Sequence, residues 1–66
     1  GSLGNGPAGA ASVQGLPAGA TLYGAGAQSS SGDIALSGPA IVSVVSAASV
    51  VLAQALMRPG EVWAYG

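Results

Sequence analysis

The chain has 66 residues, of which only three are charged, and it contains neither cysteine nor histidine. A domain this small commonly needs a disulfide, a metal or partner subunits to be stable, and this composition excludes disulfides and the usual sulfur and nitrogen metal ligands. A single cation leaves almost nothing to neutralise phosphates, so direct binding of DNA or RNA is not expected.

The first half, residues 1–32, is a low-complexity segment of Gly, Ala, Ser and Pro with isolated larger side chains. Pro7-Ala8-Gly9-Ala10 recurs as Pro17-Ala18-Gly19-Ala20, and three residues of more extended preference follow each copy. Two copies are too few for a solenoid, but they indicate two equivalent turns lying along one neighbouring surface. Because Pro and Gly at this density oppose helices and long central strands, we predict an extended or flexible arm, with a true sheet as the alternative.

The second half, residues 33–66, contains the most apolar segment, since positions 34–57 carry no charged side chain. Ser37-Gly38-Pro39 is a typical helix entrance and Pro59-Gly60 a typical stop, so we predict one hydrophobic helix over about residues 39–58. Such a helix spans roughly 28 Å, close to the hydrocarbon thickness of a bilayer. The predicted fold class is therefore mainly α, a long hydrophobic helix preceded by the extended arm, without an independent globular fold.

A strand is the competing interpretation of the apolar segment. Positions 41–52 hold one Ile and five Val, and β-branched residues favour sheets. The residues there do not alternate with period two, however. Ser43, Ser46 and Ser49 recur at every third position, which on a strand would place them on alternating faces. This spacing favours the helix.

The predicted helix has an aliphatic face and a face of small residues, and we predict that both are buried against other chains or lipid. Ile41, Ala48 and Ala55 lie seven positions apart, a spacing suited to close helix packing. The predicted packing interface consists of Ile41, Ser43, Val44, Ala47, Ala48, Val51, Leu52 and Ala55.

Three residues after the predicted helix are candidate anchors: Arg58, Trp63 and Tyr65. Aromatic rings with a polar edge collect at membrane surfaces, and they serve equally in protein interfaces. Arg58 and Glu61 are expected to close the Pro59-Gly60 turn as an ion pair, or to pair between neighbouring copies.

The sequence predicts no catalysis and no cofactor. A serine nucleophile needs a base within hydrogen-bond reach, and His and Lys are absent. Asp33 and Glu61 flank the predicted helix at opposite ends, which separates them too far for an acid and base pair. Two carboxylates alone also make a poor metal site.

The predicted function is a small structural subunit of a multi-copy assembly, such as an extracellular filament, a pilus-like polymer or a virion component. Its partners would be copies of itself or larger protein subunits. The layout, a polar first part and one hydrophobic helix, resembles in outline the small processed coat proteins of filamentous bacteriophages and some small pilins. The phage proteins end in a basic stretch that faces DNA, whereas residues 58–66 hold one cation. Because of this difference, the resemblance implies a filament without nucleic acid or a minor protein of a larger particle.

The alternative function is a single-span accessory subunit of a membrane complex, with the helix in the lipid bilayer and its small face docked to larger partners. A membrane-active bacteriocin is a weaker third hypothesis, because such peptides usually carry net positive charge and this chain has a net charge of −1.

Overall fold

The computed structural model describes residues 2–66, with the backbone alone for residues 2–5, and these residues form eight strands and no helix. The strands are β1 (Ser2–Asn5), β2 (Ala10–Gln14), β3 (Thr21–Gly24), β4 (Ala27–Ser29), β5 (Asp33–Ala35), β6 (Ala40–Val45), β7 (Val51–Met57) and β8 (Glu61–Ala64). Gly1, which the predicted arm included, lies outside the described residues. Nothing in the described range is a helix with the length and apolar character needed to cross a bilayer.

The strands divide between two four-stranded sheets. Sheet A has the order β1-β8-β2-β5, and sheet B has the order β4-β3-β6-β7. Neighbouring strands are antiparallel, except that β2 and β8 run parallel, with Val13 opposite Trp63. β8 therefore lies between two strands from the first part of the chain.

The repeated Pro-Ala-Gly-Ala motif forms the same turn twice. The amide of Ala10 donates to the carbonyl of Pro7 at 3.2 Å, and the amide of Ala20 donates to the carbonyl of Pro17 at 3.0 Å. The glycines at the third position of these turns have φ angles of 81° and 78°, as a type II turn requires. The prediction of two equivalent turns is confirmed. The strands that follow, β2 and β3, belong to different sheets, so the prediction that the two turns lie along one neighbouring surface is wrong.

The core lies between the two sheets and is built from alternate residues of their strands. On β6, Val42 and Val44 are buried, whereas Ile41, next to Val42, is exposed. The buried side chains of both sheets form one cluster: Ala11, Val13, Ala20, Leu22, Ile34, Leu36, Val42, Val44 and Met57. Burying an aliphatic side chain stabilises a fold by about 1.5–3 kcal/mol, so this cluster is the main source of stability in a chain without cysteine.

The predicted helix over residues 39–58 is wrong. β6 and β7 occupy these positions as an antiparallel hairpin, and Ser37-Gly38-Pro39 connects sheet A to sheet B. Side chains do alternate within β6, but the alternation stops at the turn over residues 46–50, and a register shift between Val44 and Val45 interrupts the pairing with β7. A periodicity window that crosses this turn therefore shows no period of two.

The spacing of the serines was misleading for the same reason. Ser43 lies in β6, whereas Ser46 and Ser49 belong to the turn, where the amide of Ser49 donates to the carbonyl of Ser46 at 2.9 Å. Their recurrence at every third position joins residues with different structural roles. It does not define a helix face.

The predicted arm, and with it the absence of an independent globular fold, is also wrong. Residues 2–29 contribute β1 to β4, and the radius of gyration of 10.5 Å matches the roughly 11 Å expected for a compact chain of this size. Ala25 and Gly26 have φ angles of 49° and 75° and form the two-residue turn between β3 and β4, as a type I′ hairpin requires. Gly9, Gly19 and Gly26 of this segment lie in turns between short strands.

Candidate interaction surface

β7 is the outer strand of sheet B, and among the described residues no strand pairs with one side of its backbone. The strand is seven residues long and contains no charged residue, proline or glycine. Val51, Leu52 and Leu56 are 55%, 40% and 44% exposed. Edge strands are usually protected by charges, proline, bulges or a short length, because their free amides and carbonyls accept a further strand. β7 has one such device, an irregularity near its start, and residues 53–57 pair regularly with β6.

The other sheet edges are shorter than β7. β1 has four residues, and β4 and β5 have three residues each. β5 also begins with the charged Asp33. Within the part of the chain that the structure describes, β7 is therefore the long uncharged edge.

Charge is distributed unevenly between the two sheets. The four strands of sheet B contain no charged residue, whereas Asp33 and Glu61 belong to strands of sheet A and Arg58 lies just before β8. Tyr23 and Ile41, on the outer face of sheet B, are 41% and 57% exposed. Single exposed apolar side chains are ordinary, but a complete sheet without charge is not typical of a surface that faces water alone.

A cleft of about 340 Å³ lies between β7 and residues 63–66, at the end of β8. Ala53 and Ala55 of β7 line one side, Trp63 and Tyr65 line the other, and core side chains form the floor. The indole nitrogen of Trp63 is buried and has no hydrogen-bond partner among residues 6–66. Because alanines of β7 and core side chains line the cleft, it continues the apolar surface of β7 towards the interior.

The predicted packing residues before β7 are distributed over three environments. Val44 belongs to the core, and Ile41 and Ser43 face outward from β6. Ala47 and Ala48 lie in the exposed turn between β6 and β7. These residues do not form one surface.

The remaining predicted packing residues, Val51, Leu52 and Ala55, all lie on β7, and the structure brings them together along the free edge. Gln54 and Leu56 lie on the same strand and were not among the predicted packing residues. The Val-rich runs on either side of residues 46–49 are compatible with a hairpin, but the residues between them contain no glycine to mark its turn.

Two of the three predicted anchors are held within the fold. Trp63 and Tyr65 are half-buried and pack against the core, and the amide of Tyr65 donates to the carbonyl of Gln14 at 2.8 Å. Arg58 is exposed, and its amide donates to Oε1 of Glu61 at 2.6 Å. The turn is therefore closed through the backbone of Arg58, where an ion pair with its side chain was expected.

The two carboxylates lie in one sheet, so the prediction that they flank a helix is wrong. Asp33 accepts a hydrogen bond from Oγ of Ser12 at 2.7 Å, across the paired strands β2 and β5. Glu61 is two strands away from Asp33, a separation of about 10 Å between backbones. A serine bonded to a carboxylate alone is not an activated nucleophile. The Ser12 and Asp33 contact joins two strands.

Comparisons of the chain with protein-family models, with curated proteins and with solved structures found no match.

Proposed function

We propose that this chain is a non-enzymatic structural subunit that works in a multi-copy assembly, and that its copies associate through sheet B. The observation that carries the proposal is β7, a free edge of seven uncharged residues with three large apolar side chains 40–55% exposed. A free edge binds a further strand through its backbone, and alternate side chains add apolar contact.

The separation of charge supports the same proposal. Sheet A carries two of the three charged residues and Arg58 lies next to it, whereas the strands of sheet B carry none. Charged residues are depleted at the centres of protein interfaces. Sheet B therefore associates with other copies, and sheet A faces the solvent. A filament, a pilus-like polymer or a virion outside the cell is an assembly of this kind.

The hypothesis of an accessory membrane subunit depended on a helix over residues 39–58. Strands β6 and β7 occupy that segment, and no feature of the described residues favours this hypothesis over self-association.

The oligomeric state of the full chain, measured without detergent, tests the proposal. We expect the mass found by sedimentation velocity to rise with protein concentration between about 1 µM and about 1 mM, the range in which weak interfaces associate. Negative-stain electron microscopy should show regular particles or polymers at the upper end. A single monomeric species over the whole range would contradict the proposal.

A further inference from the structure

We propose that two copies join by antiparallel pairing of β7 with β7 about a two-fold axis, which merges their B sheets into one eight-stranded sheet. This inference rests on the proposed function and specifies the partner, a second copy, and the contact that it makes.

Strand length favours β7 as its own partner. The other described edges have three or four residues and would leave about half of β7 unpaired. A second β7 matches the full length. Gln54 is three residues from each end of the strand, so an axis near Gln54 aligns the two strands over their length, with the irregular start of each opposite the end of its copy. A two-fold contact uses the same surface on both subunits and closes, so the dimer is the smallest unit of the assembly.

The side chains of β7 are compatible with this symmetry. A two-fold axis near Gln54 places that residue opposite its own copy, so a charge there would face a like charge, which is destabilising between paired strands. β7 carries no charge. Gln54 and Leu56 lie on the outer face, opposite Ser43 and Ile41 of β6, and would continue that face into the partner.

The contact area predicts a weak dimer. Seven paired residues span about 24 Å, and a strip about 10 Å wide on each face gives roughly 500 Å² per copy. A standard stable interface needs about 800 Å² per partner. The molecule exposes 3670 Å² in total, so the pair uses a modest part of it. We expect a dissociation constant between about 10 µM and about 1 mM.

The chain offers two glutamines for the test, and Nε2 of Gln54 also donates to Oγ of Ser43 at 2.8 Å. Gln28 on β4 and Gln54 on β7 are both exposed and lie in one row across the outer face of sheet B, at its opposite edges. Gln54→Lys and Gln54→Glu should each raise the dissociation constant about 3- to 5-fold, because each places like charges together across the axis. An equimolar mixture of the two should associate at least as strongly as the wild type. Gln28→Lys should change the constant less than about 2-fold.

Sedimentation gives the constants, and far-ultraviolet circular dichroism checks that the variants keep their β structure. Hydrogen–deuterium exchange of the wild type is a measurement that needs no variant. Amides of residues 51–57 should exchange more slowly at high than at low protein concentration, whereas those of residues 27–29 should not change.

Equal weakening by Gln28→Lys and Gln54→Lys would indicate a head-to-tail contact between β7 and β4 and overturn two-fold pairing. No recovery in the mixture, or no added protection of β7, would also overturn it. In these cases the wild type still associates and the proposed function stands. A wild type that remains monomeric at the highest concentration would overturn both.

Discussion

Gly32 determines how the segment before β5 approaches β2. Its φ of +91° lies in the left-handed region, and its carbonyl accepts a hydrogen bond from the amide of Val13 at 2.7 Å. A Cβ on this residue would lie 2.5 Å from the carbonyl oxygen of Val13, an overlap with rigid backbone. Conformation and space both require glycine here.

We predict that Gly32→Ala lowers the free energy of unfolding by about 2–4 kcal/mol, because the left-handed conformation costs about 1–2 kcal/mol and the overlap adds a similar amount. Urea unfolding measures the change. Gly9→Ala is the control, because Gly9 has a φ of +81° and no atom within 4 Å of the added Cβ. Its loss should be about 1 kcal/mol. Equal losses would contradict the predicted overlap.

The β6–β7 hairpin depends on a turn without glycine. Oγ of Ser46 accepts hydrogen bonds from the amides of Ala48 and Val50 at 3.2 Å and 3.1 Å. Ser49 has a φ of +65°, which is uncommon for any residue other than glycine, asparagine or aspartate. A residue in this conformation after the turn is typical of a three-residue hairpin loop.

Ser49→Gly should therefore increase the free energy of unfolding by about 0.5–1 kcal/mol, because glycine adopts this conformation without steric cost. Thermal unfolding of the two chains at equal concentration gives the difference. Ala48→Gly, next to it but without a positive φ, should instead lower stability by about 0.5 kcal/mol. Stabilisation by Ala48→Gly, or its absence in Ser49→Gly, would contradict this account of the turn.

Turn chemistry explains which elements could be predicted from the sequence. The two Pro-Ala-Gly-Ala turns were predictable, because a glycine stands where a type II turn needs a positive φ. The β6–β7 turn was not predictable, because none of its residues Ser46, Ala47, Ala48 and Ser49 is a glycine, an asparagine or a proline. With that turn hidden, two strands were interpreted as one helix.

The candidate surface was only partly predictable for a related reason. Val51, Leu52 and Ala55 were identified by their apolar and small side chains, and these properties do not depend on the type of element. Gln54 is polar, and identifying it required knowledge of the strand and of its position at the edge. Strand order arises from pairings such as β2 with β8, which no local pattern indicates.

The absence of charge from the strands of sheet B has a consequence for association in solution. A contact between B sheets contains no ion pair, so dissolved salt has no charge to screen. Its strength comes from apolar burial and backbone hydrogen bonds. The remaining charged groups are too few to impose strong long-range repulsion between copies.

We predict that the association constant changes less than about 2-fold between about 0.05 M and about 0.5 M NaCl, and that ammonium sulfate increases it. Sedimentation at fixed protein concentration provides the measurement. The mixture of Gln54→Lys and Gln54→Glu is the control, because its added attraction should weaken with NaCl. Dissociation of the wild type by NaCl alone would show that charged groups dominate its contacts.

The position of β8 between β1 and β2 also bears on the kinetics of folding. Ser12 pairs with Asp33 on one side and with Val62, fifty positions further along the chain, on the other. Closing so long a loop costs entropy before any pairing compensates for it, and chains dominated by such distant pairings fold slowly. β3 with β4 and β6 with β7 form hairpins, and β3 and β6 lie closer in sequence than β2 and β8, so sheet B can assemble while sheet A still awaits its central strand. During that interval, β2 presents a second free edge to neighbouring chains.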